Sequence, residues 1–295
     1  MAELLYGKRA VDRIADDLAP RIEALGRAGV TPTLALVRMG ERPDDLSYER
    51  TACKRAEALG VAVRSFVVDE KASQEELEVT LRRVNEDEGI HGCLMFRPLP
   101  RHLNEVRACE VLDPRKDIDG ITMDSLASVF ADGSMGFPPA TAAACLEMLD
   151  CYGVELAGKR VAVVGRSLVV GKPVSMMLLA RNATVTMCHS HTPDLADVCR
   201  SADIVICATG RARMFGTNFF SPGQTVLDVG INFDEEGNLC GDVDFDAVEP
   251  LVAAITPVPR GIGTVTTSVT MAHVVEAAER LLLASSRGVV EGESR

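Results

Sequence analysis

Apolar runs of strand length alternate with segments of helical period along most of this 295-residue chain. No single motif limits the fold as strongly, because parallel strands are joined only through crossovers long enough to hold a helix. Thr33–Met39 (TLALVRM) reads as a buried strand, and a helix follows over residues 45–59, ending at Gly60. Residues 61–68 form the next strand. Ser73, with Glu76 three residues on, opens another helix through a capping box. Residues 92–96 are a third strand that runs into the Pro-rich RPLPRH. From Asp119-Gly120 to Pro138-Pro139 the text is loop-like, and a helix then covers residues 140–151. A second βα series opens at Lys159, with strands at 161–165, 184–188, 203–208 and 225–229. A last strand at 253–258 leads through a Pro- and Gly-rich loop to a helix over 267–284. The polar tail SSRGVVEGESR reads as frayed. The expected fold class is α/β in two domains, with a boundary near 137–158.

Composition excludes several classes of function. The formal net charge of −12 argues against nucleic-acid and anionic-membrane partners, both of which need basic surface. Nine Cys without a C-x-x-C pair read as reduced, buried thiols in a reducing compartment. No apolar stretch reaches the roughly 20 residues of a membrane span, and MAELLYGKRA lacks a signal-peptide core, so a cytoplasmic protein is expected.

Val161-Ala-Val-Val-Gly165-Arg-Ser-Leu-Val-Val-Gly171-Lys-Pro173 runs from strand through glycine loop to helix. A helix N-terminus behind such a loop presents free N–H groups and a positive dipole end to an anion. The spacing is neither a P-loop nor G-x-G-x-x-G, and a plain βα turn would also fit it. The second strand decides between cofactors. An NAD site calls for a carboxylate at its end to hold the ribose 2′-hydroxyl, but here the text is Cys188-His189-Ser190-His191. Arg166 beside a hydroxyl suits the 2′-phosphate of NADP instead. Histidines two apart with no partner read as loop residues, so no metal is expected.

Taken in order, these segments resemble the bifunctional methylenetetrahydrofolate dehydrogenase/cyclohydrolase family. The matching text includes Ser47-Tyr48 with Lys54, Pro98-Leu99-Pro100, Asp117-Ile-Asp119-Gly120 and Pro139-Ala-Thr141. It continues with the Gly165–Pro173 loop, Ala183 to Ser190, Asp228-Val-Gly-Ile-Asn232, Gly241-Asp-Val243 and Thr256-Pro-Val-Pro259-Arg-Gly261-Ile-Gly263. The resemblance implies a folate substrate domain over 1–137, completed by 267–295, and a Rossmann-type NADP domain over 138–266, with the folate in the cleft between them. It implies a homodimer acting on a tetrahydrofolate. Gly165, Arg166, Ser167, Ser190 and Ile231 would contact the dinucleotide, Arg166 and Ser190 taking the 2′-phosphate. Tyr48 and Asp119 would be the catalytic pair that holds the pterin, with Pro259 and Gly261 lining the cleft.

The chain departs from the family pattern at two reactive positions. Tyr-x-x-x-Lys-x-Lys has become Tyr48…Ala52-Cys-Lys54, and the glutamine of Val-Gln-Leu-Pro-Leu-Pro has become Phe96, followed by Arg97. Lys54 lies roughly 120° around the helix from the lost position and cannot take its place. Arg260 and Thr264 also replace a Gly and a Pro. Hydride transfer chiefly requires positioning, whereas hydrolysis of the methenyl product requires a group that moves protons. The expectation is dehydrogenase activity with weak or lost cyclohydrolase activity. Full bifunctional activity, or a member repurposed to bind a dinucleotide without folate, are the competing readings.

Overall fold

The computed structural model describes residues 1–292, with side chains as far as residue 284. The chain opens with strand β1 (Glu3–Leu4) and helix α1 (Gly7–Arg27). There follow β2 (Thr33–Met39), α2 (Pro43–Leu59), β3 (Ala62–Val68), α3 (Gln74–Glu86) and β4 (Gly92–Met95). Helices α4 (Glu105–Val111), α5 (Met123–Ala131) and α6 (Ala140–Cys151) come next. The second series runs β5 (Arg160–Val164), α7 (Gly171–Ala180), β6 (Thr184–Cys188), α8 (Leu195–Ser201), β7 (Ile204–Cys207) and β8 (Thr225–Asp228). Hairpin β9 (Asn232–Phe233) and β10 (Leu239–Cys240), the single turn α9 (Phe245–Val248) and β11 (Ala254–Ile255) precede the long α10 (Ile262–Gly292). Helix α10 continues through residues 285–292, so most of the tail that reads as frayed is helical instead, and only residues 293–295 lie outside the described residues.

The chain divides into two compact units. One holds Ile14–Ser128, Gly133–Pro138 and the chain from Thr267 onward; the other holds Met1–Arg13, Val129–Asp132 and Pro139–Thr266. Met1–Arg13 thus group with the later βα series, not with the segment they precede. The reason is pairing: β1 adds a parallel strand beside β11, with Glu3 opposite Ala254 and Leu4 opposite Ile255.

In the first unit β2 is the middle of a three-stranded parallel sheet, ordered β3-β2-β4. Six of its seven residues are buried, as a mostly apolar run predicts for a strand covered on both faces, and the exception is Arg38. Helix α2 stops at Gly60, whose φ of 78° lies in the left-handed region. The capping box of α3 is formed, with Glu76 N–H donating to Ser73 Oγ and Ser73 N–H donating to Glu76 Oε2. At the other end of α3, Lys116 donates from its buried Nζ to the carbonyls of Val84, Asn85 and Asp87 at 2.7–2.8 Å. A cation there satisfies terminal carbonyls and the negative end of the helix dipole.

The loop-like reading of the segment after Gly120 is corrected by α5. Thr122 Oγ1 accepts the N–H of Ser125, and the fully buried carboxylate of Asp117 accepts the N–H groups of Ile121 (3.0 Å) and Thr122 (2.8 Å) and the hydroxyl of Ser125 (2.7 Å). Met123 and Phe130 lie exposed on this helix, so its apolar residues do not mark out a buried face.

The second unit is a six-stranded parallel sheet ordered β1-β11-β8-β7-β5-β6. From β5 the chain goes first to β6 on one side and then to β7 on the other. That reversal leaves a crevice at the carboxyl ends of β5 and β7, where open α/β sheets hold ligands. The last strand is only two residues long, because Pro257 and Pro259 have no N–H to continue a ladder. Helix α10 begins at Ile262, five residues before the expected start; Gly263 and the β-branched run after it conceal that start from helix propensity.

Asp117 ties together the loop that carries Asp119. Replacing Asp117 with Ala strands three donors, and we expect a loss of about 3 kcal/mol in chemical denaturation, against about 1 kcal/mol for removing the α3 cap with Ser73→Ala.

Candidate active site

Gly165 follows β5 with φ of 132°, and a Cβ there would run into the carbonyl oxygen of Ala208, which follows β7. Gly171 opens α7, and a Cβ there would strike the carbonyl oxygen of Gly165. These two glycines let the loop between them lie against the sheet at the reversal point, which is the cradle a pyrophosphate needs. Within the loop, Ser167 Oγ accepts the N–H of Val170 (3.1 Å), and Ser167 O accepts that of Lys172 (3.0 Å). Arg166 and Ser167 are exposed. Gly165 N–H donates to Cys188 O at 3.0 Å, which brings the end of β6, with exposed Ser190, beside the loop. No carboxylate follows Cys188. His189 Nδ1 accepts the N–H of His191 (3.1 Å), so a neutral His189 carries its proton on Nε2.

Two buried carboxylates organise the loops after β7 and β8. Asp242 accepts from the backbone N–H groups of Thr209, Gly210 and Arg211, from the Thr209 hydroxyl and from Asn232 Nδ2, at 2.5–3.1 Å. Asp228 accepts the N–H groups of Gly230, Asp242 and Val243 at 2.9–3.0 Å. Burial pushes Asp228 up to about 7, with three backbone donors pulling it down and Asp242 pushing it up. Side chains at Gly230 or Gly241 would collide with these carboxylates. Sequence reasoning saw the two segments as matching text and gave neither aspartate a role; glycines placed beside aspartates in both segments were the available signal. Exposed Ile231 follows Gly230.

Pro259 is exposed and Gly261 buried, in the turn between β11 and α10. Between them Arg260 takes φ of 80°, unusual for a residue with a side chain, and its guanidinium sits 5.4 Å from the ring centre of Tyr6. A nearby cavity of about 190 Å³, lined by Arg213, Asp228, Phe245, Pro257 and Pro259 among others, is too small for a dinucleotide. Among the described residues no three His, Cys, Asp or Glu side chains gather where a metal ion could be held.

The other unit assembles a second cluster at the carboxyl end of its sheet. Tyr48 on α2 packs edge-to-face on Phe96, with ring centres 5.8 Å apart. Its hydroxyl is hydrogen-bonded with Thr267 and Thr270 of α10, two partners that the sequence reading did not identify. Burial, reinforced by the charge of Asp119, pushes the phenol up to about 12. Ala52, one turn further along α2, is fully buried, while Lys54 is exposed. Asp119 has a side chain 26% exposed and lies 4.0 Å from Arg97 Nη2. Burial raises its carboxyl to about 7, opposed by Arg97 and assisted by Asp117. Tyr48, Phe96, Arg97 and Asp119 thus form one group, while Gly165, Arg166, Ser167, Ser190, Ile231, Pro259 and Gly261 all belong to the six-stranded unit.

The profile of the tetrahydrofolate dehydrogenase/cyclohydrolase catalytic domain matches residues 5–119, and that of the family's NAD(P)-binding domain matches residues 139–282. The chain belongs to the tetrahydrofolate dehydrogenase/cyclohydrolase family. The bifunctional protein FolD of Carboxydothermus hydrogenoformans is 49% identical over 95% of this chain and 99% of its own. The crystal structure of the bifunctional enzyme FolD, methylenetetrahydrofolate dehydrogenase/cyclohydrolase, from Campylobacter jejuni superposes with a TM-score of 0.92 at 32% identity, covering 95% of this chain and 99% of that one. A Trypanosoma brucei FolD, complexed with NADP cofactor and inhibitor, gives 0.88 at 35% identity over 95% and 98% of the two chains. In this family's terms the six-stranded unit corresponds to the NAD(P)-binding domain, and the glycine cradle lies inside the matched segment.

Gly-to-Ala inside a helix ordinarily stabilises by about 1 kcal/mol. Gly171→Ala should reverse that sign, costing about 2 kcal/mol or more by overpacking against the Gly165 carbonyl, and should weaken NADP at least tenfold in a fluorescence titration.

Proposed function

We propose that this chain oxidises 5,10-methylenetetrahydrofolate to the methenyl form with NADP, and that its cyclohydrolase activity is weak or lost. The carrying observation is the pair of substitutions in the cluster around Tyr48: fully buried Ala52 and 93%-buried Phe96 occupy the positions of the family's lysine and glutamine. NADP, when bound, supplies the hydride acceptor. Gly165 and Gly171 cradle its pyrophosphate, Ser167 and Ile231 contact it, and Arg166 with Ser190 takes the 2′-phosphate; the NADP of the trypanosomal relative supports this choice.

Tyr48 and Asp119 hold the pterin, and Pro259 and Gly261 contribute to the folate site. Loss of hydride from the methylene carbon leaves a cation shared by the two flanking nitrogens, so their lone pairs drive the step and the protein chiefly positions the carbon. Hydrolysis asks for more. Water must be deprotonated and the amine protonated. Neither Ala52 nor Phe96 can move a proton, and a phenol pushed to about 12 remains protonated at neutral pH. Asp119 titrates near neutrality but is engaged by the pterin in this reading.

We extend the reading to a homodimer in a reducing, cytoplasmic setting. Exposed Phe233 and Leu239 on the β9–β10 hairpin and nine free cysteines support it. Methenyltetrahydrofolate given directly to the purified protein should decay at the buffer rate. The double variant Ala52→Lys/Phe96→Gln should raise that rate by about 100-fold, the usual scale of a placed acid–base group. Wild-type hydrolysis well above buffer would sink the proposal and make Asp119 or Arg97 the suspect.

A further inference from the structure

Arg97 occupies a position where the family pattern has leucine, and it adds a cation to the substrate cluster. Its Nη2 lies 4.0 Å from Asp119 Oδ2, while its Nη1 is 3.3 Å from Glu105 Oε1. The second oxygen of Glu105 accepts the N–H of Leu99 at 3.1 Å, so the guanidinium is braced by α4 and by the loop after β4. Arg42 holds the same loop, donating to Pro98 O at 2.7 Å. The side chains of Arg97 and Asp119 are 24% and 26% exposed, which leaves the pair only partly screened by water. The other titratable groups facing Asp119 are Tyr48 on α2, Cys109 on α4 and Asp117 in its own loop. Of all these only Arg97 is positive.

We infer that Arg97 is a positioning residue for the dehydrogenase reaction: from 4.0 Å it biases Asp119 toward the carboxylate, able to accept hydrogen bonds from the N–H edge of the pterin, and so replaces the charge, though not the chemistry, of the missing lysine. The inference rests on the reading of Asp119 as the pterin-holding group. A pterin presents an amino group beside a ring N–H, and a carboxylate accepts both; a protonated acid offers a donor where an acceptor is needed. Burial raises Asp119 to about 7 even with Arg97 opposing it, so without the cation the acid form dominates at neutrality. A guanidinium holds its proton at any working pH. Arg97 therefore supports binding for hydride transfer while offering no base for hydrolysis.

The test is the pH dependence of KM and kcat for methylenetetrahydrofolate in the wild type, Arg97→Leu, Arg97→Lys and Asp119→Asn. In the wild type KM should rise as pH falls below about 7, the range in which Asp119 protonates. Arg97→Leu should move that limb upward by about one pH unit, raising KM several-fold near neutrality with most of the loss recovered by about pH 9. kcat should change less than KM. Arg97→Lys should follow the wild-type profile, and Asp119→Asn should show a high KM without the limb. An equal rise in KM at every pH for Arg97→Leu would mark a structural role and overturn the inference. So would a wild-type KM that is flat through neutrality, a result that stands even if Arg97→Leu fails to fold. Asp119→Asn with a wild-type KM would overturn the reading of Asp119 itself, and the inference with it.

Discussion

The backbone of Gly165 lies so close to the carbonyl of Ala208, and Gly171 so close to that of Gly165, that no side chain fits at either position. The constraint follows from topology. The chain enters β6 on one side of β5 and β7 on the other, so two connections leave β5 and β7 in opposite directions and open a crevice between their ends. A loop that must turn there, lie against the sheet and aim a helix at the crevice has no room for a Cβ. The position of Arg166, the approach of Ser190 and the start of α7 all depend on that contact.

Charge burial does comparable work in the loops around both clusters. Asp117, Asp228 and Asp242 are almost inaccessible to water, and each spends its carboxylate on backbone N–H groups of its own neighbourhood. An isolated buried carboxylate would be costly, and several donors offset that cost while fixing a loop that has no regular structure. Asp117 holds the segment bearing Asp119. Asp228 and Asp242 hold the segments bearing Gly210 and Ile231. Asp119 differs from all three: its partner is a guanidinium 4.0 Å away, which leaves the carboxylate able to receive a ligand.

Much of the framework was legible because its causes are local. The apolar run of β2, the Ser73–Glu76 box and the stop at Gly60 each follow from residues within a few positions of one another. The reading of the dinucleotide loop also rested on local text, namely two glycines and a strand end without a carboxylate. Helix α5 was missed because its start is capped in part by Asp117, a residue outside the helix, while two of its large apolar side chains, Met123 and Phe130, lie exposed. The pairing of β1 with β11 spans almost the whole chain. Asp242 reaches back 33 positions to Thr209, and Tyr48 finds Thr267 and Thr270 far along the sequence. Spacing cannot reveal such partners, although the polar run TTSVT inside an otherwise apolar helix was a hint that something polar faces it.

The two reactions of this family make unequal demands, and the proposed reading gives this chain only the lighter one. The residues proposed to position a folate and a dinucleotide are retained in the sequence, whereas position 52, one turn beyond Tyr48, holds the buried methyl group of Ala52. The most direct test is a single progress curve. Purified protein is given methylenetetrahydrofolate with NADP, and NADPH and methenyltetrahydrofolate are followed together in a buffer where the latter decays slowly. Loss of the cyclohydrolase predicts that the two rise in equal amounts from the first turnover. NADPH rising while the methenyl form stays at a low steady level would show that hydrolysis survives, and would contradict it.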